Sequence, residues 1–230
     1  MDLYNEDCLE KMKDLSDNSI DLLFCDLPYG CTSCKWDSLI DLELFWKEVN
    51  RICKDTTPMF FTCSTKFGVS LINSNPKNFR YDLIWVKSAP CGFLNAKKMP
   101  MKKHEMIYVF YRKLPLYDLS SHNHKFIKAN DKHKIGGVYG KVEKKIGGQY
   151  DPPLPNSLLE IKSQKGKHDT QKPTALIEWC LKYYSKEGDT ILDPTMGSGS
   201  TGVACKNMNR NFIGIEKDEK IFNSAVERLK

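Results

Sequence analysis

No stretch of this 230-residue chain approaches the roughly eighteen consecutive apolar residues that a membrane-crossing helix requires. Residues 1–7 are acidic and carry no signal-peptide pattern, which points to a cytoplasm or nucleus (a viral factory included) and to no membrane partner. A glycine–lysine–serine/threonine run is missing, so a phosphate-binding P-loop is excluded. There is one CxxC, Cys31 to Cys34, and no second; a zinc site needs two more soft ligands at matching spacing, and no metal is expected. The nine cysteines are odd in number and scattered through apolar stretches, as at Cys25, Cys53, Cys63, Cys180 and Cys205. That excludes a disulfide framework and suits reduced, buried thiols. Arginine is missing from Ser120 through Lys167, and no internal repeat is present.

What is there is the composition of an ordinary globular domain, 40% hydrophobic and 28% charged, long enough for one core or one core carrying an insertion. The charge is unevenly placed. From Ser120 to Lys167 ten lysines stand against four acids, a surplus equal to the formal +6 of the whole chain. Lys125, Lys128, Lys132, Lys134, Lys141, Lys144 and Lys145 belong to this run. A concentrated basic segment fits a polyanion that releases counterions on binding, although a charge run alone is often only a solvated loop.

Apolar patterning places the elements. Residues 20–25 read as a buried strand ending in Asp26-Leu27-Pro28-Tyr29-Gly30. Residues 39–53 have helical spacing, 58–63 read as a strand and 67–72 as a short helix. Residues 81–86 and 106–111 are β-rich. From about 114 to 167 periodicity disappears, which marks a functional or mobile segment rather than core. It then resumes with a helix over 174–184, a strand at 190–192, a helix from Gly199, a strand at 212–215 and a helix over 219–229. Such alternation argues for an α/β sheet covered on both faces. Trp46, Trp85 and Trp179 fall on apolar faces and read as core; Trp36 lies in the loop after Tyr29, where it can shape a base pocket.

The strongest local signal is Asp193-Pro194-Thr195-Met196-Gly197-Ser198-Gly199-Ser200-Thr201-Gly202, between a strand and a helix. Its glycines let backbone approach a ligand, and the helix start offers unpaired N–H groups. Glu216 ends the next strand, where an acid can accept both hydroxyls of a ribose. Together these indicate a nucleoside cofactor; the rival is a structural glycine turn. The Asp26-Leu27-Pro28-Tyr29 tetrapeptide supplies a second chemistry. Methylating an exocyclic amine needs no covalent nucleophile, but the nitrogen lone pair is conjugated into the ring and attacks poorly. A carboxylate at Asp26 and the Leu27 carbonyl can each accept an N–H and draw the amine toward tetrahedral geometry. Pro28 stiffens the turn, and Tyr29 can stack on an extruded base. Asp151-Pro152-Pro153-Leu154 looks superficially similar but lacks the aromatic and follows no apolar strand, so it reads as a loop.

The ordered set resembles the β class of amino-DNA methyltransferases, in which the catalytic tetrapeptide precedes the glycine loop. The match runs through Glu6-Asp7-Cys8-Leu9, Asp26 to Tyr29, Ile84-Trp85-Val86-Lys87, His104-Glu105-Met106-Ile107, His168-Asp169-Thr170-Gln171-Lys172-Pro173 and Asp193 to Gly202, then Glu216. It covers nearly the whole chain outside about 115–165, and residues 93–100 also resemble compact phage and viral members. The resemblance implies a Rossmann-like fold, a mostly parallel twisted sheet with helices on both faces and circularly permuted motif order. It implies S-adenosylmethionine as cofactor, with S-adenosylhomocysteine as product. Asp7, Cys8, Asp26, Lys172, Pro173, Asp193, Thr195, Gly197, Ser198, Gly199, Ser200, Thr201 and Glu216 would line the cofactor site. Residues 1–114 would form the catalytic half, 115–165 a basic target-recognition insertion into double-stranded DNA, and 166–230 the cofactor half. Lys87 would be a further phosphate contact. Family members often pair as dimers and accompany restriction endonucleases, but no interface signature is legible.

Three positions depart from the family pattern: Leu27 and Asp169 stand where proline is usual, and Thr195 where phenylalanine is. Aspartate at 26 favours the N6 amine of adenine as target. Cytosine N4 is the alternative within enzymes, and an inactive DNA-binding module, supported only by Leu27, is the alternative from another class. His104 and His168 read as structural, because the amine needs no prior deprotonation.

Overall fold

The computed structural model describes residues 1–28, 40–126, 148–164 and 171–230. Strands and helices alternate from the start: β1 (Asp2–Tyr4), α1 (Cys8–Lys11), β2 (Leu22–Cys25), α2 (Leu42–Ile52), β3 (Met59–Cys63) and α3 (Thr65–Ser74). A long hairpin of β4 (Phe79–Cys91) and β5 (Lys102–Phe110) follows, then three short strands, β6 (Asn123–Phe126), β7 (Gly148–Asp151) and β8 (Leu158–Leu159). The chain closes with α4 (Thr174–Tyr184), β9 (Thr190–Asp193), α5 (Ser200–Asn207), β10 (Asn211–Ile215) and α6 (Glu219–Leu229). Two compact units result, residues 1–117 with 157–230, and residues 118–156.

The larger unit is built on one sheet in the order β1-β10-β9-β2-β3-β5-β4-β8, in which β5 alone runs against its neighbours. Both faces are covered, as the strand alternation requires. Leu23, Cys25, Met59, Phe61, Leu192 and Ile215 pack in one cluster with Cys8, Phe45, Trp46, Val49 and Phe67 of α1, α2 and α3. On the opposite face the Phe60 ring meets Tyr184 of α4 at 5.1 Å, and Phe212 lies close against Gly202 of α5. The α2 helix shows how local sequence sets this up. Asp41 caps it by accepting from the N–H groups of Glu43 and Leu44. Phe45, Trp46, Val49 and Ile52 then recur at helical spacing on the buried face. The one polar atom in that stripe, the Trp46 indole N–H, donates to Ser74 Oγ at 2.8 Å.

The segment over 114–167 departs from the expectation of no regular structure. In the smaller unit β6 and β7 form an antiparallel pair, with Lys125 Nζ 2.5 Å from Asp151 Oδ2 and His122 Nδ1 2.8 Å from Pro152 O. Asp151, expected in a loop, therefore closes a strand. In the larger unit β8 joins the sheet edge beside β4, where Trp85 Nε1 donates to Ile161 O. Strands of two to four residues are too short to display a period-two pattern in the sequence. Trp179 is a second correction: it is half-buried, stacked near Tyr183 at 5.0 Å, rather than core.

Candidate active site

The site forms where the sheet changes direction. β2 and β9 are neighbours, with Leu23 opposite Leu192. From β2 the chain leaves through α2 to β3 on one side, and from β9 through α5 to β10 on the other. A crevice at the carboxyl ends of two such strands is where open α/β sheets bind ligands. Asp26 follows β2, and the loop from Asp193 follows β9.

Asp26 is held from two sides. Thr62 Oγ1, from β3, donates to its Oδ1 at 2.6 Å, and Lys172 Nζ donates to its Oδ2 at 2.5 Å. Lys172 also lies 3.6 Å from Glu105 Oε2, while Lys87 Nζ donates to Glu105 Oε1 at 2.9 Å. Burial pulls the Lys172 pKa down, yet the charges of Asp26 and Glu105 outweigh it and the net shift is upward. Lys172 therefore remains an ammonium beside the carboxylate.

A clip joins the two loops. Thr195 Oγ1 donates to the Asp26 carbonyl at 3.1 Å and sits 3.4 Å from Cys25 Sγ. With its own proton committed to that carbonyl, the hydroxyl is the acceptor for the thiol. Beyond it, Gly197 and Gly199 adopt φ of +51° and +76°, conformations that L side chains rarely adopt. A Cβ at Gly197 would meet nothing within 4 Å, so the loop has open space there. The Gly197 N–H donates to Glu216 Oε2 at 3.0 Å, and the Asp218 N–H to Glu216 Oε1 at 2.8 Å. Burial raises the Glu216 pKa, opposed by those two N–H groups.

Asn5 Nδ2 donates to the Glu216 carbonyl at 2.8 Å, tying the turn before α1 to the end of β10. In that turn Asp7 caps α1 through the Leu9 N–H and pairs with Lys217. Burial alone would raise the Asp7 pKa; Lys217 and the backbone N–H groups more than reverse it.

A family model described as DNA methylase matches residues 20–227. The chain belongs to this N6/N4 DNA methylase family. Among curated relatives, the type II methyltransferase M.HinfI of Haemophilus influenzae is 28% identical over 97% of this chain and 67% of its own length. M2.DpnII of Streptococcus pneumoniae is 46% identical over 30% of this chain and 26% of its own. Among solved structures, a complex of M1.HpyAVI with SAM aligns over 99% of both chains at 26% identity with a TM-score of 0.66. The cytosine-N4-specific PvuII methyltransferase aligns over 99% of this chain and 86% of its own with a TM-score of 0.72. At 16% identity that likeness is one of fold.

Within this methylase the residues singled out from sequence fall into distinct places. Asp26, Lys172, Thr195, Gly197 and Glu216 are linked at the β2/β9 crevice by the contacts above. Leu27 is 2% exposed and belongs to the core cluster, which explains how a leucine is accommodated there. Pro173 is buried at the start of α4.

Asp193 and Thr201, expected to line the cofactor site, bond each other inside the loop. Asp193 is 4% exposed, and its oxygens accept from Thr201 Oγ1 at 2.5 Å and the Thr195 N–H at 3.2 Å. These side chains brace the loop from inside. Burial pushes the Asp193 pKa up to about 7, against the lowering effect of the two donors. Cys8 is likewise a core side chain, its thiol pushed up to about 12 by burial, and Ser200 is buried. Lys87 is engaged with Glu105 and lies 5.2 Å from the Trp85 ring centre, and Lys125 is engaged with Asp151.

Tyr29, Cys31, Cys34, Trp36, Lys128, Lys132, Lys134, Lys141, Lys144, Lys145 and the run His168 to Thr170 lie outside the described residues. Among the described residues no three His, Cys, Asp or Glu side chains are grouped to hold a metal ion, and no helix is long and apolar enough to cross a membrane.

Two residues of the site escaped the sequence reading. Arg228, on α6, donates from Nη1 to the Ser198 carbonyl at 3.0 Å and lies 3.2 Å from the hydroxyls of Ser198 and Ser200. Thr62 looked like any strand threonine. Nothing near either residue in sequence signals the partner; only the strand pairing brings Thr62 beside Asp26.

Proposed function

We propose that this methylase transfers the methyl group of S-adenosylmethionine to the N6 amine of adenine in double-stranded DNA, with the base out of the helix. The observation that carries this reading is the clip at Thr195. It fixes the carboxylate-bearing loop of Asp26 against the glycine loop, so an amine and a cofactor methyl are addressed from two adjacent strand ends. The residues present suit the cofactor. Glu216 has one N–H on each oxygen, leaving a lone pair on each for a ribose hydroxyl. Open space beside Gly197 admits a nucleoside close to backbone.

S-adenosylmethionine supplies a sulfonium methyl, electrophilic enough for direct displacement. Asp26 accepts one amine hydrogen and the Leu27 carbonyl the other, which returns lone-pair density to nitrogen. The new N–C bond forms as the S–C bond breaks, sulfur keeps the bonding pair, and the surplus amine proton passes to water. Lys172 and Thr62 hold the Asp26 carboxylate in one orientation, so little reorganisation is needed during transfer. The segment over 115–165, within which residues 118–156 fold as a unit, reads the DNA. Residues 1–114 and 166–230 contribute the catalytic and cofactor halves of the remaining fold.

Aspartate at 26 supports adenine over cytosine. After incubation of genomic DNA with methyl-labelled S-adenosylmethionine and digestion to nucleosides, label is expected in N6-methyladenine. Label in N4-methylcytosine would reassign the target base, and label in no nucleoside would reject the reading.

A further inference from the structure

β4 is parallel to β3, so the β4–β5 hairpin leaves the sheet on the same edge as Asp26. The end of β3, Cys63, pairs with Met106, which pairs in turn with Ile84. Beyond Met106 the hairpin continues for four residues of β5 to Lys102, about 13 Å at strand rise, before its turn. Its base touches the catalytic charges, since Glu105 contacts both Lys87 and Lys172, and Lys172 contacts Asp26.

The projecting part is unlike the rest of the surface. Every residue from 88 to 104 is exposed. At the turn Phe93 is 76% exposed and Leu94 83%, with Met99 and Met101 also open to solvent. The same stretch carries Lys97, Lys98, Lys102 and Lys103 and no acid. The turn is nevertheless built: Gly92 takes φ +89°, the Asn95 N–H donates to Gly92 O at 3.0 Å and the Lys98 N–H to Asn95 O at 2.8 Å. Ser88 and Ser163 exchange backbone-to-hydroxyl bonds that brace the outgoing strand.

Large apolar side chains held in water by a defined turn call for a partner. A second copy of this tip would bring four lysines against four lysines. A polyanion with apolar layers inside it matches both features, and duplex DNA is such a partner, with phosphates for the lysines and base steps for the apolar pair.

We propose that the β4–β5 hairpin is a DNA-opening wedge that inserts Phe93 and Leu94 into the base stack beside the target, while the flanking lysines hold phosphates. The wedge lowers the cost of unstacking and leaves Asp26 to grip a base already displaced. This rests on the DNA-methylating function proposed above and adds a mechanical part to it.

The test is the double variant Phe93→Ala/Leu94→Ala, whose side chains are exposed and contribute little to folding. With label transfer to duplex genomic DNA and to the same DNA heat-denatured, the variant is expected to lose about tenfold or more on duplex. On denatured DNA it should stay within about twofold of wild type. In parallel, closed circular plasmid relaxed by topoisomerase with protein bound reports duplex unwinding without any methyl transfer. Wild type should shift the linking number, and the variant should shift it clearly less. Equal transfer on duplex, an equal loss on both DNAs, or identical unwinding would overturn the wedge. So would a change of the variant's oligomeric state by light scattering, which would assign the tip to a second copy. Wild type that unwinds plasmid through Phe93 and Leu94 but labels no DNA would reject the methylation reading and leave the wedge standing.

Discussion

Replacing Asp26 with alanine is expected to cut methyl transfer to DNA by about a thousandfold or more while leaving S-adenosylmethionine affinity within about threefold. The carboxylate is the group fixed where the amine must be gripped, by Thr62 on one oxygen and Lys172 on the other. Without it the amine lone pair stays conjugated and nothing orients it. The loss should appear in the transfer step, read by single-turnover kinetics, with cofactor binding read separately by calorimetry. The buried ammonium left behind keeps Glu105 at 3.6 Å, so the fold should survive. Asp26→Asn keeps the shape but presents an amide N–H to one of the two donors, and should be nearly as inactive. Transfer within tenfold of wild type in either variant would remove Asp26 from the chemistry.

The second large effect is expected at Glu216. Glu216→Ala should weaken S-adenosylmethionine binding by roughly a hundredfold or more, because it removes two hydrogen bonds to a charged group, each contributing about 1.5–3 kcal/mol. The same change also frees the Gly197 N–H, which Glu216 now holds at 3.0 Å, and loosens the loop from within. Glu216→Gln retains one acceptor oxygen and should lose less. At saturating cofactor the transfer rate of both variants should recover toward wild type, which separates them from the Asp26 variants. Affinity unchanged in Glu216→Ala would place the ribose elsewhere.

Much of this arrangement was legible in the sequence because its chemistry is local. The Asp26 tetrapeptide follows an apolar run, the glycines stand between a strand and a helix, and Glu216 ends the next strand. Each is a short pattern read without knowing its partners. What escaped depends on residues far apart in the chain. Lys172 reaches Asp26 across 146 residues, Thr195 reaches it across 169, and Arg228 reaches Ser198 from the last helix. Thr195, which stands where the family usually has phenylalanine, carries in the fold the hydroxyl that ties the two loops together. The loop motif marks Asp193 and Thr201 as a pair near the cofactor, but not the hydrogen bond that joins them inside the loop, where both are buried. The strands β1 and β8, of three and two residues, have no periodicity to read and are set by pairing with β10 and β4.

The proposed chemistry requires one ligand to span the ends of β2 and β9. Amide hydrogen exchange with and without S-adenosylhomocysteine tests it without any turnover. Slowed exchange is expected at Leu27, at Cys8 and Leu9, and through Gly197 to Thr201 together. Protection confined to residues 118–156, or on only one side of the crevice, would contradict it.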